Sequence, residues 1–362
     1  MRFIFGADTV PTAVSEKYFI NGDVEKLFGN VINYFKSADK FFINLECALT
    51  QSDTPIKKIG PALKGSPECV NGLVAMGVTE VCLANNHSYD YGERGLRDTM
   101  AVLDEAGIPY LGVGDDNTDS RKPYFFECDG KRFSVINVCE HEYSYALDDR
   151  CGANPFDPYL TMQDIRMAKS LSDYTFVVYH GGKENCRYPS ERLHDLCHEM
   201  VLSGADVVLC QHSHCIGCYE SFAGGHIVYG QGNLNFLGFG NLETWQTGMA
   251  VEIIIESGAL SLAFHPLVFT DDSASLATGE QMRDILRDFA KRNESLKNGE
   301  WINGWKSFCE SVRESYTSVM FNAFKPDPTE KEREFFGHYL DCEAHLDVLH
   351  EIFPTWNRTV KQ

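Results

Sequence analysis

Six short apolar runs, each ending on a side chain able to hold a metal ion, constrain this chain more than any other feature. Arg2 to Gly6 leads to Asp8, and Phe41 to Leu45 leads to Glu46. Val81 to Ala84 leads to Asn85, Asn86 and His87; Phe133 to Cys139 leads to Glu140 and His141. Thr175 to Tyr179 leads to His180, and Val207 to Cys210 leads through Gln211 to His212 and His214. Runs this short, rich in β-branched residues and bounded by polar ones, read as strands buried on both faces. In open α/β sheets ligands bind beyond the carboxyl ends of the strands. The His212–His214 pair alone could be two hydrogen-bonded loop histidines. Six strand ends delivering Asp, Glu, Asn and His to one rim are hard to explain by packing.

Between the runs lie amphipathic segments. Val24, Leu27, Phe28, Val31, Ile32 and Phe35 share one helical face, as do Leu193, Leu196, Cys197, Met200 and Val201 within Ser190 to Ser203. Pro67 to Met76, Arg94 to Ala106 and Thr161 to Ser170 read as further helices, and Val78 to Ala84 and Ile108 to Val113 as strands. This β-α-β rhythm predicts right-handed crossovers between neighbouring strands. Asp129-Gly130, between Tyr124–Cys128 and Phe133–Cys139, is a hairpin signal and implies a mixed sheet or two packed sheets. From about Asp271 the pattern becomes helical: Gln281 to Arg292, Trp301 to Tyr316 and Glu330 to Ile352. The expected division is a domain over 1–270 and a helical extension over 271–362 that packs on it, with its helices available for homo-oligomer formation.

The chain of 362 residues carries 32 Lys and Arg against 52 Asp and Glu, a formal charge of −20. Such a surface repels a phosphate backbone, so nucleic acid is not an expected partner. No run of 18 apolar residues exists, which excludes a membrane-spanning helix. The 13 cysteines are scattered, many within apolar runs, as expected of reduced, buried thiols; with no targeting segment recognised, a cytoplasmic location is expected. Cys215-Ile216-Gly217-Cys218 lacks the second pair that zinc would need and reads as structural. Thr54 to Gly65 is a rare basic island, where Lys57 and Lys58, with Arg187 elsewhere, are candidates to grip a small anionic substrate.

Asp8, Glu46, Asn86, His87, His180, His212 and His214 together offer carboxylate, amide and imidazole donors suited to Mn, Fe or Zn. Leaving His87 aside, the six exceed what one tetrahedral zinc needs and would suffice for two divalent ions sharing a carboxylate. The order Asp8, Asn44-Leu45-Glu46, Ala84-Asn85-Asn86-His87, His180-Gly181-Gly182-Lys183-Glu184, Gln211-His212-Ser213-His214 and Gly230-Gln231-Gly232-Asn233 resembles the bacterial CapA family of poly-γ-glutamate capsule biosynthesis. That family is in turn similar to the calcineurin-like metallophosphoesterases. The resemblance spans roughly residues 1–270 and implies a four-layer α/β/β/α sandwich with two metal ions at one rim. It implies Glu46 as the shared carboxylate, Asp8 and His214 on one ion, and Asn86, His180 and His212 on the other. His87 would be the general acid that protonates the leaving oxygen.

Two departures stand out. The Asp-x-His pattern at the first strand is Asp8-Thr9-Val10 here, and Glu46 stands where an Asp is usual. His141, following a strand, is a candidate for the missing imidazole. The expected function is metal-dependent hydrolysis of a phosphoester in capsule or cell-envelope metabolism. Two alternatives remain open at this stage. One is cleavage or transfer of an amide or ester in γ-glutamyl or peptidoglycan-like compounds; the other is a non-enzymatic scaffold with a degraded metal site.

Overall fold

The computed structural model describes residues 1–29, 31–140, 143–239 and 242–353. Two sheets face one another. In the first, the strand order is Ala274–Leu276, Ala259–Phe269, Thr247–Glu256, Arg2–Thr9, Lys40–Leu45, Glu80–Cys82 and Tyr110–Leu111, with Asn233–Asn235 added alongside Arg2–Thr9. In the second it is Tyr219–Phe222, Gly225–Val228, Val207–Gln211, Tyr174–His180, Lys131–Cys139 and Tyr124–Cys128. The central strands of each are parallel, so their carboxyl ends emerge on one side.

Side-chain alternation along the strands builds the layers. Phe3 and Phe5 point between the sheets, whereas Ile4 faces the helices outside the first sheet. Phe133, Val135, Phe176, Val178, Val207 and Leu209 meet them from the second sheet. Ile136, Val138, Val177, Tyr179, Val208 and Cys210 turn outward under Pro158–Ser170 and Glu191–Leu202. Aromatic rings fill the space between the sheets: Phe5 stacks on Phe42 at 4.5 Å and Phe3 meets Phe133 edge-on at 4.8 Å. Fully burying each such side chain contributes roughly 1.5–3 kcal/mol. Helix, sheet, sheet, helix is therefore the layer order, as the resemblance implied.

Several boundaries differ from the sequence reading, for local reasons. The first amphipathic stretch is two helices, Val24–Phe28 and Val31–Lys36, because Gly29 takes a positive φ of 56°. Ile108 to Val113 is broken at Gly112, whose φ is 82°. A Cβ there would collide with Asn137 and Ala84, the pair whose amide–backbone hydrogen bond ties the sheets together. Ala274–Leu276, inside the stretch expected to be helical, is an edge strand. The last helical pattern divides at Cys342 into Glu330–Asp341 and Glu343–Ile352.

The C-terminal helices have their own apolar cluster, in which Trp305, Cys309, Tyr316, Tyr339 and Val348 close on Cys186 of the sandwich. Ion pairs add to this seam: Arg192 holds Asp347 at 2.9 Å, and Lys57 holds Glu330 at 2.9 Å. Among the described residues no helix is long and apolar enough to cross a membrane.

Candidate metal centre

The parallel register brings the chemistry together. Asp8 pairs with Asn44 across the first two strands, so Glu46 emerges just beyond its neighbour, its N–H donating to Thr9 O at 3.1 Å. In the facing sheet His180 is level with Gln211, and His212 and His214 follow at once. Both histidines hold positive φ, 82° and 51°, a costly conformation for residues with a Cβ that recurs at functional sites. Asp8 joins the sheets by accepting from the His212 N–H at 3.1 Å and the Asn44 side chain at 2.7 Å.

Glu46 sits at the centre and is fully buried. His180 Nε2 lies 3.3 Å and His214 Nε2 3.9 Å from its Oε1. Ligand atoms of Glu46, His212 and His214 lie within 4.8 Å of one another. Asn86 Oδ1 is 2.9 Å from His180 Nε2, and Asp8 Oδ2 is 3.5 Å from His214 Nδ1. The structure thus brings Asp8, Glu46, Asn86, His180, His212 and His214 to one rim.

Neither Glu46 oxygen has a hydrogen-bond partner among the described residues. An unpaired buried carboxylate is expensive. Burial first, then Asp8, push its pKa up to about 7, against the pull of His214, His87 and His212. Burial also drives His180 down to about 3, despite Asp8, which keeps its ring neutral. A neutral imidazole and an unsatisfied carboxylate are what a cation requires, so the donor set fits divalent metal binding.

Neighbouring groups orient these donors. His214 Nδ1 faces Asn233 Oδ1 at 2.9 Å, which turns Nε2 toward Glu46, and Trp245 packs on the His214 ring at 4.2 Å. The Asn44 amide lies 3.2 Å from His180 Nδ1. His87 Nδ1 lies 2.6 Å from Asp90, a carboxylate that also takes Lys58 Nζ and the Leu63 N–H, each at 2.6 Å. Asn44, Asp90, Asn233 and Trp245 had no role in the sequence reading. Asn44 and Asn233 lie inside quoted motifs, and only their pairing with Asp8 across the sheet reveals what they do.

Other candidates are placed differently. Lys57 is exposed and bound to Glu330 and Glu334, while the buried Lys58 amine is occupied by Asp90. Arg187 neighbours Arg292, Cys215 and Cys218. Cys215 and Cys218 are buried free thiols, consistent with a structural role. Glu140 is held by Tyr179, the Gly182 N–H and Arg192. His141 lies outside the described residues.

A cavity of about 550 Å³ opens beside the His87–Lys58–Asp90 group, between Lys57–Ile59, Tyr143 and the helix Glu330–Asp341. His338 of that helix stacks against Tyr143 at 5.7 Å. The last helix also reaches the rim. Burial acts to raise the Glu184 carboxyl, but Lys183, His212, His214 and His345 together bring it down to about 2.

A family model described as bacterial capsule synthesis protein PGA_cap matches residues 4–237. The capsule biosynthesis protein CapA of Bacillus anthracis is 27% identical over 219 residues, covering 58% of this chain and 53% of that one. The PGA biosynthesis protein CapA of Bacillus subtilis (strain 168) is 27% identical over 241 residues, covering 64% and 62%. This chain therefore spans about half to three fifths of the length of these relatives. Among solved structures, a hypothetical protein from Thermus thermophilus aligns with a TM-score of 0.45 at 16% identity, over 75% of this chain and 100% of that one. A dimetal phosphatase from Danio rerio aligns with a TM-score of 0.33 at 12% identity, over 55% and 84%.

Proposed function

The chain belongs to the bacterial capsule synthesis protein family, and from that premise we propose that it is a divalent-metal-dependent hydrolase of phosphoesters serving capsule or cell-envelope metabolism. The observation that carries the reading is the buried Glu46 carboxylate, ringed by imidazoles with neither oxygen partnered among the described residues. Glu46, Asp8 and His214, with Asn86, His180 and His212, would hold two divalent ions. Bound there, the ions would supply Lewis-acid charge that stabilises oxygens going negative during displacement.

The chain's own residues do the rest. Asn233 and Asn44 orient His214 and His180. His87 carries the proton for the leaving oxygen from Nε2, because Asp90 engages its other nitrogen. The cavity beside Lys58 would admit the substrate, and the helix Glu330–Asp341 forms its outer wall, with His338 against Tyr143. Twelve of the 13 cysteines are buried and all are free, which supports work in a reducing compartment such as the cytoplasm.

One observation favours a second substrate class. Lys57 and Lys58, the cations nearest the cavity, are both neutralised by carboxylates. A phosphate dianion normally needs such a grip. The scissile amide or ester of a γ-glutamyl compound is itself uncharged, unlike a phosphate, and the Bacillus subtilis relative is named for PGA biosynthesis.

The test is hydrolysis of an aryl phosphate by chelator-stripped protein resupplied with Mn2+, compared with γ-glutamyl anilide and ester substrates. Metal-dependent turnover of the phosphate, lost in His212→Ala, is expected. Turnover of the γ-glutamyl compounds alone selects the second class. Phosphate hydrolysis that persists in His212→Ala and under chelation removes the metal from the account, and a folded protein that takes up no ion leaves only a scaffold.

A further inference from the structure

A second cluster of donors shares no residue with the rim. His194 and His198 stand four apart on the helix Glu191–Leu202, hence on one face. Glu220 reaches them from the edge strand Tyr219–Phe222. Both Nε2 atoms address the same oxygen, Glu220 Oε1, at 3.6 Å for His194 and 2.9 Å for His198. All three ligand atoms lie within 4.8 Å of one another.

We propose that His194, His198 and Glu220 form a separate Zn2+ site that clamps this edge strand to the helix. Donors about 2.0–2.1 Å from a tetrahedral zinc lie about 3.3 Å from each other. The two observed separations bracket that spacing, so Glu220 Oε1 already stands near ligand distance from both imidazoles. Two imidazoles and a carboxylate also suit zinc better than magnesium or calcium, which take oxygen ligands.

The rings are already held in place. Trp301 stacks on His194 at 4.7 Å and 18°, and Phe222 stacks on His198 at 3.6 Å and 8°. Behind the donors, Asp195 lies 3.3 Å from His194 Nδ1, and the Tyr229 hydroxyl donates to Glu220 Oε1 at 2.7 Å. Such outer partners fix ligand orientation in zinc sites. The three side chains are 15–20% exposed, which leaves a fourth position open to water. Because Trp301 begins the helix Trp301–Phe324, an ion here would also steady the start of the C-terminal extension.

The experiment uses the full chain, stripped of metal and titrated with Zn2+ against a chromophoric chelator. To read this site alone, the titration is run in a Glu46→Gln background. One tight equivalent is expected there, accompanied by a rise in melting temperature. Adding Glu220→Gln or His198→Gln should weaken that equivalent roughly tenfold or more and cancel the thermal shift. Circular dichroism checks that each variant folds, and either one suffices for the reading. Absence of a tight equivalent in Glu46→Gln, or Zn2+ affinity unchanged in a folded Glu220→Gln or His198→Gln, overturns the proposal.

Discussion

Glu46 and Glu140 are both buried acids placed one residue beyond a strand, yet their surroundings are opposites. Glu140 accepts from the Tyr179 hydroxyl at 2.8 Å, the Gly182 N–H at 3.0 Å and Arg192 at 2.5 Å. Burial works against its charge, but Arg192 and these hydrogen bonds hold its pKa below the usual carboxylate value. Glu46 has no hydrogen-bond partner among the described residues, and its pKa rises to about 7. One carboxylate is completed by the protein. The other is completed only by something that binds.

The sharpest way to break this contrast is to remove each charge in turn. Glu46→Gln should abolish metal uptake at the rim and the activity that depends on it. The loss should exceed the roughly 10–100-fold typical of an outer partner such as Asn233. It should leave the metal-free melting temperature unchanged or higher, since an uncompensated buried charge is gone. Metal titration and thermal melts of the same sample check both halves. Arg192→Ala should do the reverse. Leaving Glu140 buried without its cation costs about 3–5 kcal/mol, read by urea unfolding, while affinity at the rim stays within a small factor.

The two acids should also give opposite pH slopes. Glu140 has a depressed folded pKa, so its stabilisation is present above about pH 4.5 and is lost as pH falls through the folded value. Glu46 has a raised one, so the metal-free protein binds a proton that the unfolded chain releases between pH 4.5 and about 7. Stability from this group therefore falls as pH rises across that window, and metal affinity climbs until about pH 7. Melts at several pH values, with and without Mn2+, should show the benefit of metal widening toward neutrality. The smallest effect is expected at Lys57. Lys57→Ala cuts exposed pairs to Glu330 and Glu334 and should leave melting temperature and metal affinity within error.

Much of the rim was readable in the sequence because strand ends are local features. An apolar run stops, and the next residue carries the ligand. Period-2 alternation then fixes which side chains face the opposite sheet, so the layer order followed as well. What distinguishes Glu140 from Glu46 is not local. It depends on Arg192, 52 residues away, and on Asp347 beyond it. The fate of Lys57 is set by acids 273 and 277 residues distant, which no window of sequence can pair with it. The broken helix at Gly29 and the broken strand at Gly112 are different again. There the glycine is visible, but its presence alone does not say that it takes a positive φ.

The most direct measurement is anomalous scattering from crystals of the full chain grown with Mn2+ or Zn2+. The account predicts density at the rim, with a Glu46 oxygen about 2.0–2.2 Å from an ion and imidazole nitrogens from His180, His212 or His214 at similar distances. A map with no anomalous peak beside Glu46, in crystals where the metal is seen elsewhere, would contradict it.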